Sequence, residues 1–252
     1  MKILALIPAR MGSSRFPGKA MANIMGKPMI GHVYERVAKS TVLAEVAVAT
    51  CDIEIAEYIK SIGGIAIMTS EKHERASDRC AEALIKFESL RGYLVDIVVM
   101  VQGDEPMTHP DMIAEAIQPL LEDSQVQVVN LLGEIKDSSE FEDRNCIKVV
   151  CDLNMDALYF SREPIPTRNK VNNIPIGKQV CIIPFRRDFL LKYNSLEATP
   201  LEISESVDML RILENGMKVR MARTNYSTQA VDTPEDLLKV EELMRNLNDQ
   251  QY

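Results

Sequence analysis

The stretch that most restricts what this chain can become is its first nineteen residues. Ile3-Leu4-Ala5-Leu6-Ile7-Pro8 is an apolar run with almost nothing before it. A run of this length, unrelieved by polar positions, predicts a strand buried on both faces, as in a parallel sheet. Ala9-Arg10-Met11-Gly12-Ser13-Ser14-Arg15-Phe16-Pro17-Gly18-Lys19 follows at once, with two glycines, two serines and three cations. Glycines let backbone N–H groups turn toward an anion, and serine hydroxyls add donors. Arg10, Arg15 and Lys19 supply the positive charge a polyphosphate needs. Open α/β sheets bind ligands at the carboxyl ends of their strands, where this loop falls. The stretch misses the P-loop: five residues separate Gly12 from Gly18 instead of four, and Ala20 replaces the Ser or Thr that would hold magnesium.

Hydrophobic periodicity extends the pattern. Met29, Ile30, Val33 and Val37 share a helical face over Met29 to Lys39. Glu45–Thr50 reads as a strand, Asp52 as the cap of a helix ending at Gly63-Gly64, and Ile65–Met68 as a third strand. Ser77-Asp78 opens a helix to about Glu88. Asp96–Val101 is the strongest strand signal, followed by a helix from Pro110 to Leu121 and a strand over Val126–Leu132. Strands alternating with helices predict an α/β fold with a doubly wound, mainly parallel sheet. The second half is less regular, and a smaller mixed insertion is expected there. Strands are predicted over 147–151, 157–160, 179–185 and 219–222, and helices over 187–193, 204–214 and 233–247. Residues 168–177 read as a polar loop.

Composition narrows the partners. The formal charge is −8, from 29 Lys and Arg against 37 Asp and Glu, with no broad basic face, so nucleic acid is not an expected partner. The cationic first loop is a local exception that suits a small anion. Five cysteines with no CxxC pairing read as a reduced chain of structural thiols. No apolar stretch approaches the roughly 20 residues that span a bilayer. A soluble, cytoplasmic protein without a membrane partner is expected.

Two acidic segments carry chemistry. Gln102-Gly103-Asp104-Glu105-Pro106 follows the strongest strand, so Asp104 falls at the same sheet edge as the first loop. Val231-Asp232-Thr233-Pro234-Glu235-Asp236 precedes the last helix, where Asp232 taken alone reads as an N-cap. Hard carboxylate oxygens beside a triphosphate are what magnesium needs.

Ile7-Pro8-Ala9-Arg10, Ser14-Arg15-Phe16-Pro17-Gly18-Lys19 and Gly26-Lys27-Pro28-Met29-Ile30 together resemble the opening of the sugar-acid cytidylyltransferases. The similarity is greatest to the 3-deoxy-manno-octulosonate (Kdo) cytidylyltransferases, or CMP-Kdo synthetases, and extends over nearly the whole chain. It implies a nucleotide-diphospho-sugar transferase-like fold in a single domain over 1–252, with a sugar-binding and dimerisation insertion at about 155–215. It also implies a homodimer, and transfer of CMP from CTP to an octulosonic sugar acid with release of diphosphate, for lipopolysaccharide biosynthesis. In that chemistry the anomeric 2-hydroxyl attacks the α-phosphorus. By resemblance, Arg10, Ser13, Arg15 and Lys19 meet the triphosphate, and Asp104 and Asp232 hold Mg2+. Arg15, Lys19, Asp104 and Asp232 form the catalytic set. His73, Ser77, Arg79 and Gln102 are carried over as nucleotide contacts, although Glu74, Arg75 and Ala76 depart from the family's Gln-Ser-Gly. His73 also reads as a solvated loop histidine.

The sugar side departs further. Arg162, in Tyr159–Pro166, matches a segment bordering the sugar acid; it also reads as an ordinary surface arginine. The family's His-x-Gly-x-Tyr-x-Tyr-Arg becomes Gln179–Arg186, with Gln179 for His and Ile183 for the first Tyr. Its Leu-Glu-Gln-Leu-Arg becomes Val207–Arg211, with Asp208 for Glu and Met209 for Gln. Replacing hydrogen-bonding partners changes which sugar is accepted. The expected sugar is therefore a modified one, first 8-amino-3,8-dideoxy-manno-octulosonate (Kdo8N), whose ammonium Asp208 or Glu205 could answer. Plain Kdo with a drifted site is the alternative. A sialic acid cytidylyltransferase, a nucleotide sensor and an interaction protein are the remaining readings.

Overall fold

The computed structural model describes residues 1–13, 15–168 and 177–249. In chain order these form β1 (Ile3–Ala9), a 3-10 turn (Lys19–Met21), β2 (Asn23–Ile24), β3 (Lys27–Pro28), α1 (Met29–Val37), β4 (Glu45–Thr50), α2 (Ile53–Ser61), β5 (Ile65–Met68), α3 (Ala76–Arg91), β6 (Ile97–Val101) and α4 (Pro110–Glu122). There follow β7 (Val129–Glu134), α5 (Ser138–Glu142), β8 (Lys148–Cys151), β9 (Ala157–Ser161), β10 (Gly177–Val180), β11 (Ile182–Arg186), α6 (Arg187–Asn194), α7 (Pro200–Glu205), α8 (Met209–Glu214), β12 (Arg220–Arg223) and α9 (Pro234–Asp249). The chain divides into two compact units, Met1–Ile113 with Ser227–Tyr252, and Ala114–Tyr226.

The first unit is the predicted α/β sheet. Its strands run β6–β1–β4–β5, all parallel. Every residue of β1 is buried, as its unbroken apolar run requires. The chain starts in the middle, builds outward to β4 and β5, and then returns through α3 to place β6 on the other side of β1. Parallel strands added on both sides of β1 make the winding double. The order reverses between β1 and β6, and at that point the loops after both strands open side by side.

Met29, Ile30, Val33 and Val37 of α1 are all fully buried, as their spacing predicts. The last helix completes this unit. Val231, Val240 and Met244 join Ile24 and Met29 in one apolar cluster, with Phe16, Met107 and Leu237 against its edge.

The second unit holds a mixed sheet in the order β12–β7–β10–β8–β9. β12 and β7 are parallel and the other pairs antiparallel. Two predicted elements are each divided. The strand expected over 179–185 bends at Cys181 into β10 and β11, and an uninterrupted apolar sequence gives no sign of the break. The helix expected over 204–214 becomes α7 and α8, separated by Ser206 at φ 53. No glycine or proline marks that turn. What fixes it is the buried Glu202–Arg211 pair, with N–O contacts of 2.7 Å, which folds α8 back on α7. α3 runs past its expected end to Arg91, where Gly92 at φ 72 stops it. The β2–β3 hairpin and α5 are too short for periodicity to reveal. Of the predicted polar loop 168–177, residues 169–176 lie outside the described residues, and Gly177 already belongs to β10.

Candidate active site

The loop after β1 is shaped by its backbone. Met11 O accepts the N–H groups of Ser13 (3.0 Å) and Gly18 (2.9 Å), closing the loop on itself. Gly18 has φ 74, a conformation that favours glycine. From outside the loop, Asp52 Oδ2 accepts the Met11 N–H at 2.8 Å. Asp52 sits at the start of α2, where the sequence predicts a cap, but its side chain makes no capping bond and anchors the first loop instead. That role is invisible in one dimension: only the parallel pairing of β1 with β4 brings residues 11 and 52 together. Ser13 Oγ lies 3.4 Å from the Phe16 N–H, and Arg10 is exposed.

Residues far apart in sequence meet at Lys19. Its Nζ donates to Asp104 Oδ2 at 2.7 Å, Asp232 Oδ1 at 3.2 Å and Val231 O at 3.1 Å. Arg15 donates to Asp232 Oδ1 at 2.8 Å. A backbone bond from Val231 N–H to Asp104 O, 2.9 Å, ties the two acidic segments directly. The four side chains predicted as the catalytic set are therefore one cluster. Burial acts to lower the Lys19 pKa, but the charges and hydrogen bonds of Asp104 and Asp232 outweigh it and raise the ammonium above its ordinary 10.5.

Asp232 is not the cap of α9. Thr233 and Asp236 do that work reciprocally: Asp236 Oδ2 accepts the Thr233 N–H at 3.0 Å, and Thr233 Oγ1 accepts the Asp236 N–H at 3.2 Å. The Asp232 carboxylate is left to the ion cluster. The donor set suits magnesium. Two hard carboxylates already converge on one cation, the Lys19 ammonium, and Mg2+ asks for one or two carboxylates completed by phosphate and water oxygens. Among the described residues no group of three or more His, Cys, Asp and Glu gathers as an all-protein cage.

The segment after β5 is built around Arg79, which is 2% exposed. Its guanidinium donates to Thr69 Oγ1 (2.6 Å), Ser70 O (3.3 Å) and His73 O (3.2 Å). Arg79 thus shapes the 69–73 turn from below, and Ser77 is wholly buried beside it in α3. His73 bonds through Nε2 to Glu82, which the sequence did not single out. Burial favours the neutral form of Glu82, yet hydrogen bonds from Lys86, the Ser70 N–H and His73 hold its carboxyl down at about 2. Gln102 is half-buried at the end of β6, where its carbonyl starts the turn that presents Asp104.

A model of the cytidylyltransferase family matches residues 4–219. The chain is 46% identical over 253 residues to a 3-deoxy-manno-octulosonate cytidylyltransferase of Geobacter metallireducens, covering 96% of this chain and 97% of the relative. It is 46% identical over 256 residues to the enzyme of the same name from Geotalea uraniireducens, covering 97% and 100%. This chain belongs to the 3-deoxy-manno-octulosonate cytidylyltransferase family. Among solved structures, a CMP:2-keto-3-deoxy-manno-octonic acid synthetase complexed with CTP superposes with TM-score 0.89 at 39% identity, covering 98% of this chain and 99% of the other. The α/β nucleotidyltransferase fold and enzyme class follow.

Within the second unit, the positions where this cytidylyltransferase departs from its family fall into two kinds. Gln179 Nε2 donates to Oδ1 of the buried Asn130 at 2.7 Å, and Asp208 is half-buried ahead of α8. Both keep a polar group near the surface. Ile183 (2% exposed) and Met209 (0%) lie in the core. The sequence reading sets both against substrate; the structure buries both side chains, Ile183 in β11 and Met209 at the start of α8. Arg162 is not a plain surface residue: its guanidinium donates to the carbonyls of Glu205 (2.6 Å), Arg144 (2.9 Å) and Ser206 (3.3 Å). Glu205, read as a possible partner for a sugar ammonium, accepts instead from the Arg162 N–H at 2.8 Å, Ser161 Oγ at 3.0 Å and Tyr159 OH at 3.3 Å.

Proposed function

We propose that this enzyme transfers CMP from CTP to the anomeric 2-hydroxyl of an octulosonic sugar acid. The new bond joins that oxygen to the α-phosphorus, the α–β phosphoanhydride bond breaks, and diphosphate leaves. The observation that carries this reading is the convergence of Lys19, Arg15, Asp104 and Asp232 at the switch point of the sheet. Support comes from the relatives named for this activity and from the CTP complex of a similar chain.

Asp104 and Asp232 would hold Mg2+, which, when bound, polarises phosphate oxygens and lowers the pKa of a coordinated hydroxyl. Arg15 and Lys19 offset charge that builds on the departing diphosphate. Arg10 and Ser13 extend the donor surface of the loop toward the same phosphates. Arg79 keeps the 69–73 turn in place for the nucleotide.

The sugar is proposed to be Kdo8N, because the polar partners expected for plain Kdo are replaced at Gln179, Ile183, Asp208 and Met209. The names of the relatives favour plain Kdo as the second reading. Diphosphate release measured with CTP, ATP, GTP and UTP against Kdo and Kdo8N tests both levels. CTP alone should support turnover, with Kdo8N the better acceptor. Equal or faster turnover of Kdo would remove the modified sugar, and no release with CTP and either acid would remove the activity. A cytoplasmic homodimer serving lipopolysaccharide biosynthesis completes the proposal; sedimentation velocity checks the dimer.

A further inference from the structure

The Lys19 ammonium occupies the place between two carboxylates that a metal would need. All three of its donors have partners: Asp104, Asp232 and the carbonyl of Val231. Arg15 adds a second cation on Asp232. Formally the four charges cancel. A divalent ion approaching this cluster meets no net attraction, and it must displace an ammonium already 2.7 Å from the carboxylate oxygen it would bind. The site is also partly dehydrated, with the Lys19, Asp104 and Asp232 side chains only 18%, 18% and 21% exposed, so that exchange is not screened as it would be in open water.

A triphosphate changes the balance. It carries several negative charges to the same loop and competes for Lys19 and Arg15, and each cation that turns to phosphate uncovers a carboxylate. We propose that Lys19 is an internal counter-ion that keeps the Asp104–Asp232 pair from taking a divalent cation until a nucleotide triphosphate draws the ammonium away. The proposal rests on the reading that this pair is the metal site. Its consequence is that metal and nucleotide loading are coupled, and coupling between two ligands is reciprocal, ordinarily by about 5- to 150-fold.

The test is Mn2+ binding to the nucleotide-free full-length chain, read as loss of the free-ion EPR signal. Lys19→Met should bind Mn2+ at least about tenfold more tightly than wild type. Lys19→Arg, which keeps the charge, should bind as weakly as wild type. Lys19→Met with Asp104→Asn should lose the gain. A thermal melt supplies a second readout: in EDTA, Lys19→Met should melt below wild type, because Asp104 loses the ammonium paired with it while Arg15 still holds Asp232, and Mn2+ should raise its melting temperature more than that of wild type. If Lys19→Met does not fold, Lys19→Gln takes its place. Unchanged Mn2+ affinity in the folded neutral variant would overturn the counter-ion role; if Asp104→Asn still weakens Mn2+ binding beside a non-hydrolysable CTP analogue, the metal reading survives that failure. Tight binding that persists in the double variant would overturn the metal reading itself.

Discussion

Asp104 lies in the turn after β6, its carbonyl accepts the Val231 N–H, and its carboxylate oxygen lies 2.7 Å from Lys19. Asp104→Asn keeps the shape and removes the charge. Turnover should fall by roughly 10³-fold, since one misplaced or neutralised electrostatic group in such a site costs on that order. Circular dichroism should be unchanged; retained activity would dismiss the carboxylate as a participant. Glu82 gives the pH prediction. Its folded pKa of about 2 lies below the ordinary 4.5, so its stabilising contribution is complete above 4.5 and is lost as pH falls through 2. The stability gap between wild type and Glu82→Gln, measured by urea unfolding, should therefore shrink from pH 4.5 to 2. A gap that does not vary with pH would refute the assignment. The residue scale is also where sequence reading was weakest. Lys19 and Asp104 were legible because strand ends collect chemistry, but Asp52 and Glu82 act through partners that only folding brings near.

Elements translate these contacts into geometry. The turn after β6 packs against the end of β1 so closely that a Cβ on Gly103 would meet Pro8 O at 2.9 Å and Ile30 Cδ1 at 3.3 Å. Neither neighbour yields easily, one being backbone and the other a buried side chain of α1. Gly103→Ala should cost about 1–3 kcal/mol in chemical denaturation, the range for overpacking, and should lower activity by pushing the adjacent Asp104 off its position. Full stability and full activity in that variant would mean the turn has slack that its spacing denies. This glycine could be read from the sequence only as a turn residue. Strands and long helices were legible where burial imposes a period. The α7–α8 break was not, because the Glu202–Arg211 pair that fixes it works across the turn and leaves no local signal.

At the scale of the whole chain, the main constraint is that the C-terminal segment returns to the first unit, so that Asp232 reaches a loop more than two hundred residues earlier. The return is driven by apolar burial, with Val231, Val240 and Met244 packed on Ile24 and Met29. Phe16 of the first loop and Met107 of the turn after β6 lie against the same cluster. One apolar floor therefore supports all three segments that supply the charged groups. Met244→Ala removes part of that floor without touching any charge. It should cost about 2–5 kcal/mol in urea unfolding, as large-to-small core changes do. A purely structural loss would leave kinetics untouched well below the melting temperature. Here the KM for CTP should rise severalfold even at that temperature, because Asp232 and Phe16 shift with the helix beneath them. An unchanged KM with reduced stability would show that the last helix only braces the sheet and does not set the spacing of the charged cluster.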